Sequence, residues 1–438
     1  MGNVKNKKNR KVNMKLYPIY KMISWDLLFY YSIIYLFLTQ AKGFSASQIL
    51  LSEAFFTGSC LVLQIPIGLI VDKYGKKNSL VFANSCMCVF IGILLLANTY
   101  YQVLIAFFID AIGYVIKGIC ETNILYDSLP RGRKRGSLYS RIDGIGTSRY
   151  FVIDAITSIM AGFAFVISPY LPMILCLIGN ILATILATQF RHTHIPGEDD
   201  TRTGAKEYFI QLRDATKFAL TSKRMLCLLI FFGLIMGLNY NLTTFRSGVL
   251  DQIQLPEQYF GMVFAMIQIS AAITAKLQKK IHRKFRNKTL AVLGIPTTIA
   301  FMLIGLLAIG NVGTARIILI ISFFVILGAI KGAFNVLIYR YLNNFTNQNI
   351  RTKLATVRNI VYNIFSIIIS LFGSWLLSIT NASNTILIVG AIATIILILL
   401  LKYMKNKVGL KPEDYNDKDL KYSHLKNGGT KWESILRK

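Results

Sequence analysis

The sequence is divided into apolar blocks of about 20 residues that are separated by short polar segments. A helix of that length crosses the roughly 30 Å of hydrocarbon in a bilayer. Because backbone N–H and C=O groups inside lipid must satisfy each other, each block is predicted to be a helix. The chain is therefore predicted to be an all-α membrane protein with twelve transmembrane helices. The predicted spans are residues 18–40, 46–71, 78–98, 100–126, 143–167, 170–190, 225–246, 258–278, 289–310, 315–337, 354–379 and 383–403.

The composition supports a membrane protein and argues against a soluble one. Hydrophobic residues make up 54% of the 438 residues, and charged residues only 16%, whereas soluble domains have roughly 25% charged residues. The net charge of +29 does not form a basic face with interleaved aromatic residues, so no nucleic-acid partner is expected.

The basic residues lie mainly on one side of the predicted membrane. Most of the 49 Lys and Arg residues fall in the N-terminus, in alternate connections and in the C-terminal tail. The opposite connections hold only Lys42, Arg246 and Arg316. The positive-inside rule then predicts a multi-pass protein of the cell membrane with both termini in the cytoplasm.

The chain is predicted to have five segments. A cytoplasmic N-terminal segment, residues 1–17, precedes a six-helix bundle, residues 18–190; a central cytoplasmic loop, residues 191–224, precedes a second bundle, residues 225–403, and a tail, residues 404–438. Within the central loop, Lys206 to Leu220 has apolar residues on one side, which predicts an amphipathic helix at the membrane interface. The alternative is a solvated linker helix.

No pattern of an enzyme, a cofactor site or a metal site occurs in the sequence. The six cysteines lie in or beside apolar blocks without metal-like spacing, and we interpret them as small buried apolar residues. All four histidines lie outside the predicted spans, and there is no phosphate-binding glycine loop. We expect no catalytic residues, no metal and no cofactor.

A compact motif lies between the second and third predicted spans. Its glycines have separate expected roles: Gly68 would let another helix pack closely, and Gly75 permits a turn with positive φ. Asp72 is an anion suited to a helix N-terminus or an arginine, and the lysines fix the cytoplasmic orientation. The motif residues are Gly68, Asp72, Lys73, Gly75, Lys76 and Lys77.

This motif resembles the signature of the major facilitator superfamily, which has the same glycines, acid and basic residues at the same spacing in the same loop. A weak half-chain repeat, in which Lys117 and Gly118 match Lys331 and Gly332, agrees with a duplicated six-helix unit. The resemblance covers residues 16–403. It implies two pseudo-symmetric six-helix bundles and secondary transport by alternating access, as in the drug/proton antiporters of the family.

The resemblance also implies a cytoplasmic gate and leaves the direction of transport open. In the family, the acid of the motif holds the two halves together when the cavity opens outward, which here would place Asp72 beside Arg358. Two features depart from the antiporters: the fifth span lacks their proline motif, and Asp110 stands about where many of them carry an arginine in the fourth span.

Charged residues inside the spans are candidates for the substrate and proton pathway, because a charge at the bilayer centre costs roughly 2.5–3.5 kcal/mol on insertion scales. Some have structural alternatives. Asp26, in the first span, faces the cavity or forms a cap; Lys117 and Glu121 form a neutral pair or take part in transport; Asp154 carries a proton or pairs with a lysine. The candidates are Asp26, Glu53, Asp110, Lys117, Glu121, Arg149, Asp154 and Lys331.

The sequence thus predicts a secondary transporter that acts as a monomer among membrane lipids on a small-molecule substrate. Proton-coupled efflux of an amphipathic compound or drug is the preferred function, with the proton gradient as the energy source. Import of a solute or nutrient by the same fold is an alternative. A non-transporting membrane partner or sensor is an alternative of a different class.

Overall fold

The computed structural model describes residues 2–130, 135–192, 210, 213–214, 216–217, 219–221, 223–285, 288–344 and 348–407. Regular structure in this part of the chain is helical. The predicted amphipathic helix, Lys206–Leu220, lies mostly outside these residues, as do much of the central loop and residues 408–438 of the tail. The helices are α1 (Gly2–Ser24), α2 (Ile34–Leu36), α3 (Ala46–Tyr74), α4 (Lys76–Leu96), α5 (Tyr100–Ser128), α6 (Arg135–Ile167), α7 (Leu171–Thr188), α8 (Lys223–Gln252), α9 (Gln258–Phe285), α10 (Thr289–Leu307), α11 (Thr314–Asn344), α12 (Gln348–Ile379) and α13 (Ala382–Lys407).

Eleven helices within the described residues, α3 to α13, are long and apolar enough to cross a membrane. Their outer surfaces carry large apolar side chains: Val62 is 73% exposed, and Leu96 and Ile167 are 78% exposed. Such exposure would be costly in water but is expected where the neighbour is lipid. The prediction of an all-α, multi-pass membrane protein is confirmed.

The first predicted span, residues 18–40, is wrong as a single helix. α1 ends at Ser24, and only the short α2 and a π-helical turn, Phe37–Ala41, follow. Between them, the Asp26 carboxylate accepts a hydrogen bond from the backbone N–H of Leu27 at 3.0 Å, and Phe29 has φ of +64°. A short polar side chain that bonds to nearby backbone competes with the helix, and the break follows from it.

The chain divides into two compact units, which are described separately. Unit 1 consists of Met1–Arg202 and Gln254–Gln268. In unit 1, α5 packs against α3 and α4, α4 packs against α7, and α1 packs against α6. α3 begins with a capping box, in which Ser45 accepts from the N–H of Gln48 and the Gln48 side chain accepts from the N–H of Ser45.

Unit 2 consists of Thr203–Ile253 and Ile269–Lys438. α8 packs on α12 and α13, and α10 packs on α11 and α13. The predicted position of Arg246 in a connection is wrong, because α8 continues to Gln252 and Arg246 lies inside it with 3% of its surface exposed. The predicted span ended at Arg246 because the charge of this residue lowers the hydropathy, but the helix continues beyond it.

Candidate functional site

Buried charged side chains concentrate in unit 1. Asp26 lies in the break after α1, where its carboxylate accepts hydrogen bonds from the Tyr31 hydroxyl at 2.7 Å and from the N–H of Leu27. The sequence placed Asp26 inside a helix, but its backbone is irregular. This carboxylate therefore bonds both to the local backbone and to a neighbouring hydroxyl.

Three carboxylates lie within electrostatic range of one tyrosine. The hydroxyl of Tyr30, which is 5% exposed, lies within electrostatic range of Asp26, Glu53 and Asp110. The three acids come from the break after α1, from α3 and from α5. We call these four residues the Tyr30 cluster. The three acids were expected from the sequence as single candidates, whereas no pattern in the sequence points to Tyr30 as their common neighbour.

One buried lysine of α5, Lys117, lies within electrostatic range of two buried carboxylates of the same helix. The Lys117 ammonium lies 3.9 Å from a carboxylate oxygen of Glu121, one helical turn away, and both side chains are buried. Ser24 donates a further hydrogen bond to Glu121. Asp110, on the same helix, is within electrostatic range of Lys117 but lies about 10 Å from it along the helix axis. The buried acids of this region thus outnumber the buried lysines.

Asp154 is buried in α6 and held by neutral groups. It is 2% exposed, and its carboxylate accepts a hydrogen bond from the Gln268 amide at 3.1 Å and another from the Tyr150 hydroxyl. No lysine or arginine of the described residues forms an ion pair with it, so the alternative of a lysine partner is not observed. Nothing in the sequence beyond its polarity within an apolar span marks Gln268.

The remaining charged candidates differ in burial and are described one by one. Arg149 is exposed. Lys331 is partly buried in α11 of unit 2. Lys21, which was expected at the membrane edge, is 6% exposed and forms an ion pair with Asp143 of α6. Asp143 also accepts from the Tyr17 hydroxyl, so this pair joins α1 to α6.

The glycine and lysine motif forms the turn between α3 and α4. Gly75 has φ of +82°, the positive value expected for it. No described atom lies within 4 Å of the place where a Cβ on Gly68 would stand, so the close approach of another helix to Gly68 stays a prediction. The Lys76 ammonium lies 2.6 Å from the Asp127 carboxylate at the end of α5. Lys73 lies over the ring of Tyr74, and Lys77 is partly buried.

The predicted gate contact falls outside the described side chains. The backbone of Asp72 is helical, but its side chain is not among those described. In unit 2, the Arg358 guanidinium lies over the ring of Phe232, 5.8 Å from its centroid. The pairing of Asp72 with Arg358 therefore stays a prediction.

The described residues contain no group of three or more His, Cys, Asp and Glu side chains that could hold a metal ion. All six cysteines are free, and five of them are buried.

Comparison with known proteins gives a consistent result. The family model of the Major Facilitator Superfamily matches residues 19–323. No curated protein sequence matches the chain. Among solved structures, the nucleoside transporter NupG is similar with a TM-score of 0.73 at 12% identity, and the match covers 91% of this chain and 100% of that chain. A peptide transporter POT in complex with sulfate gives 0.62 at 11% identity, covering 93% and 95%. A D-xylose-proton symporter gives 0.63 at 12% identity, covering 91% and 97%.

The structural likenesses, at these identities, establish the fold, and the family model covers more than half of the chain. Both agree with the glycine and lysine motif and with the eleven long apolar helices. The chain belongs to the major facilitator superfamily and is a secondary transporter of the membrane, not an enzyme.

Proposed function

We propose that this transporter couples the movement of a small amphipathic solute to the proton gradient, and that it works as an exporter. The observation that supports the proposal is Asp154, a carboxylate that is 2% exposed in the middle of a membrane helix and has only neutral hydrogen-bond partners. An ionised carboxylate at that depth is costly without a nearby cation. Binding a proton removes the cost, and moving between water-exposed and buried states lets the proton be released.

The partner of Asp154 suits such a cycle. The side-chain amide of glutamine contains both donors and an acceptor, so Gln268 can donate to the ionised acid and accept from the protonated one. The contact joins α6 to the first part of α9 within unit 1. A change in the protonation of Asp154 therefore changes a bond between two helices. This link is the physical step that alternating access requires of a proton carrier.

The direction of transport and the location are parts of the same proposal. Export follows from the motif resemblance to antiporters and from the number of membrane carboxylates. One of the similar solved structures is a D-xylose-proton symporter, so import by symport is the opposite outcome of the test. We propose a monomer in the cell membrane with both termini in the cytoplasm and with lipid as its surroundings.

The test uses proteoliposomes that enclose a pH-sensitive dye. A panel of amphipathic compounds is added, and proton movement is recorded together with compound movement. Opposite movement of proton and compound supports export, and parallel movement supports import. Compound movement without any proton movement, for every compound transported, would overturn the proton coupling.

The first prediction concerns Asp154 in this assay. Asp154→Asn should abolish gradient-driven transport, because the amide cannot bind and release the proton, whereas exchange of compound for compound should survive. The matched control is Asp214→Asn, which removes a carboxylate that pairs with Arg213 at an exposed site. Full gradient-driven transport by Asp154→Asn would remove Asp154 from the mechanism.

A further inference from the structure

Asp110 is a buried member of the Tyr30 cluster. It is 8% exposed, and its Oδ1 atom has no hydrogen-bond partner among the described residues. It stands ten residues into α5, which is about 15 Å along the helix axis and near the middle of a bilayer. The nearest buried cation on its helix, Lys117, is paired with Glu121. A ligand that brings a positive charge would compensate this carboxylate.

Aromatic rings line the same region. Phe107, Asp110 and Tyr114 stand three and four residues apart on α5, so they share one face of the helix. The ring of Phe56, from α3, lies 6.3 Å from Phe107 and 5.6 Å from Tyr114 between ring centroids. Phe90, from α4, lies 5.5 Å from Phe107. Three helices therefore contribute rings to the side of α5 that holds the buried carboxylate.

The aromatic set is continuous with the Tyr30 cluster. The ring centroids of Tyr30 and Phe90 lie 5.8 Å apart, and those of Tyr30 and Tyr31 lie 5.1 Å apart. The Tyr30 ring therefore links the aromatic set to the cluster. This combination has two parts that both favour positive charge: a buried anion, and aromatic rings whose quadrupole attracts cations.

We infer that the Tyr30 cluster recognises a monovalent organic cation with an apolar body. The described residues contain no group of three His, Cys, Asp or Glu side chains that could hold a metal ion. An organic cation needs no such close ligands, and the rings from α3, α4 and α5 provide contact for its apolar part. This inference rests on the proposed transport function only in that the bound cation is the solute carried.

Binding to the purified protein tests the inference without any transport. The probes are tetraphenylphosphonium and tetraphenylborate, two ions of nearly the same shape and opposite charge. Saturable binding of the phosphonium with at least tenfold preference over the borate is expected. Equal binding of both ions, or binding of neither, would overturn the inference, and a proton alone would then be the partner of Asp110.

Variants locate the site. Asp110→Asn should weaken phosphonium binding at least tenfold, and Asp110→Glu should keep the preference for the cation, which also shows that the fold survives change at this position. Phe107→Leu should weaken binding about threefold. Its control is Phe108→Leu, because Phe108 pairs with Phe55 across the same two helices at 6.5 Å but is 40% exposed. Unchanged phosphonium binding in Asp110→Asn would place the cation elsewhere and refute the assignment.

The binding experiment and the transport experiment test the two proposals separately. Phosphonium binding that depends on Asp110, in a protein whose solute movement never responds to a pH gradient, would uphold the site and refute the proton coupling. Gradient-driven movement of a neutral or anionic solute, in a protein that does not bind the phosphonium, would do the reverse. Asp214→Asn, at the exposed pair with Arg213, should bind the phosphonium as the unchanged protein does.

Discussion

Single residues of unit 1 show which parts of a membrane site can be read from sequence. Asp26, Glu53, Asp110 and Asp154 are visible in the sequence because a carboxylate within an apolar block is rare and costly. Their neighbours are not visible: Asp154 and Gln268 are 114 residues apart. Tyr30 looks like any aromatic residue of a membrane segment. The sequence identifies the carboxylates that are costly to bury in a membrane, and only the fold shows which side chains contact them.

Gly75 is a residue whose role follows from its backbone. Its φ of +82° with ψ of 147° lies near a region that is essentially restricted to glycine, where another residue costs about 1–3 kcal/mol. Gly75→Ala should therefore lower the thermal unfolding temperature of the purified protein by several degrees. The control is Gly68→Ala in the same motif, where no described atom would contact the new methyl group.

The outcome for this pair is decided by the difference between the two variants. Gly68→Ala should unfold at the temperature of the unchanged protein or slightly above it, because alanine stabilises a helix relative to glycine. Equal unfolding temperatures for both variants would mean that the turn between α3 and α4 accepts alanine without strain.

At the scale of elements, hydropathy located most of the helices but not the break in the first span. A hydropathy window measures only how apolar a segment is, and residues 18–40 are apolar enough to be predicted as one span. At the break, the Asp26 carboxylate accepts a hydrogen bond from the N–H of Leu27. This side-chain bond competes with the backbone hydrogen bonds of a helix. Hydropathy also ended the predicted span of α8 too early, at Arg246, because a buried charge lowers the hydropathy of a segment without ending the helix.

Glycines set the approach of α6 to the first part of α9 within unit 1. A Cβ on Gly261 would lie 1.9 Å from the backbone oxygen of Ser158, and a Cβ on Gly162 would lie 2.6 Å from that of Gln258. Both obstacles are backbone atoms, which cannot move aside as a side chain would. The two helices therefore approach this closely only while both positions lack a side chain.

This contact gives a prediction for the packing of α6 and α9. Gly261→Ala should destabilise the protein by about 1–3 kcal/mol, as overpacking does, and should lower its thermal unfolding temperature. Gly179→Ala is the control, because nothing described lies within 4 Å of that position in α7. An unfolding temperature that is unchanged in Gly261→Ala would show that the helices separate at little cost.

At the scale of the molecule, the two units differ in chemistry although the sequence repeats weakly. The buried carboxylates of the described residues, Asp110, Glu121, Asp127 and Asp154, all belong to unit 1. In unit 2, Asn241 joins α8 to α12 by accepting from Ser370 at 2.6 Å, and the buried charge is Arg246. Lys331, the counterpart of Lys117 in the repeat, is followed four residues later by Asn335 where Lys117 is followed by Glu121. The repeat therefore predicts the fold of both halves but not their ionisable groups.

The last prediction concerns how the whole chain crosses the membrane. Eight helices, α5 to α12, lie between Asn98 and Asn381, and each is long and apolar enough to span, so both residues should face the same side. Asn78 lies in the first turn of α4 and Asn98 follows the end of that helix, so Asn78 should face the other side. The distribution of Lys and Arg then places Asn98 and Asn381 outside.

All three positions are exposed, and five of the six native cysteines are buried, which keeps background labelling low. Single cysteines at Asn98 and Asn381 should react with a membrane-impermeant thiol reagent in intact cells, whereas a cysteine at Asn78 should react only after permeabilisation. Labelling of Asn98 and Asn381 from opposite sides would mean that one of the eight helices does not span. Labelling of Asn78 alone in intact cells would keep the number of spans and reverse the orientation.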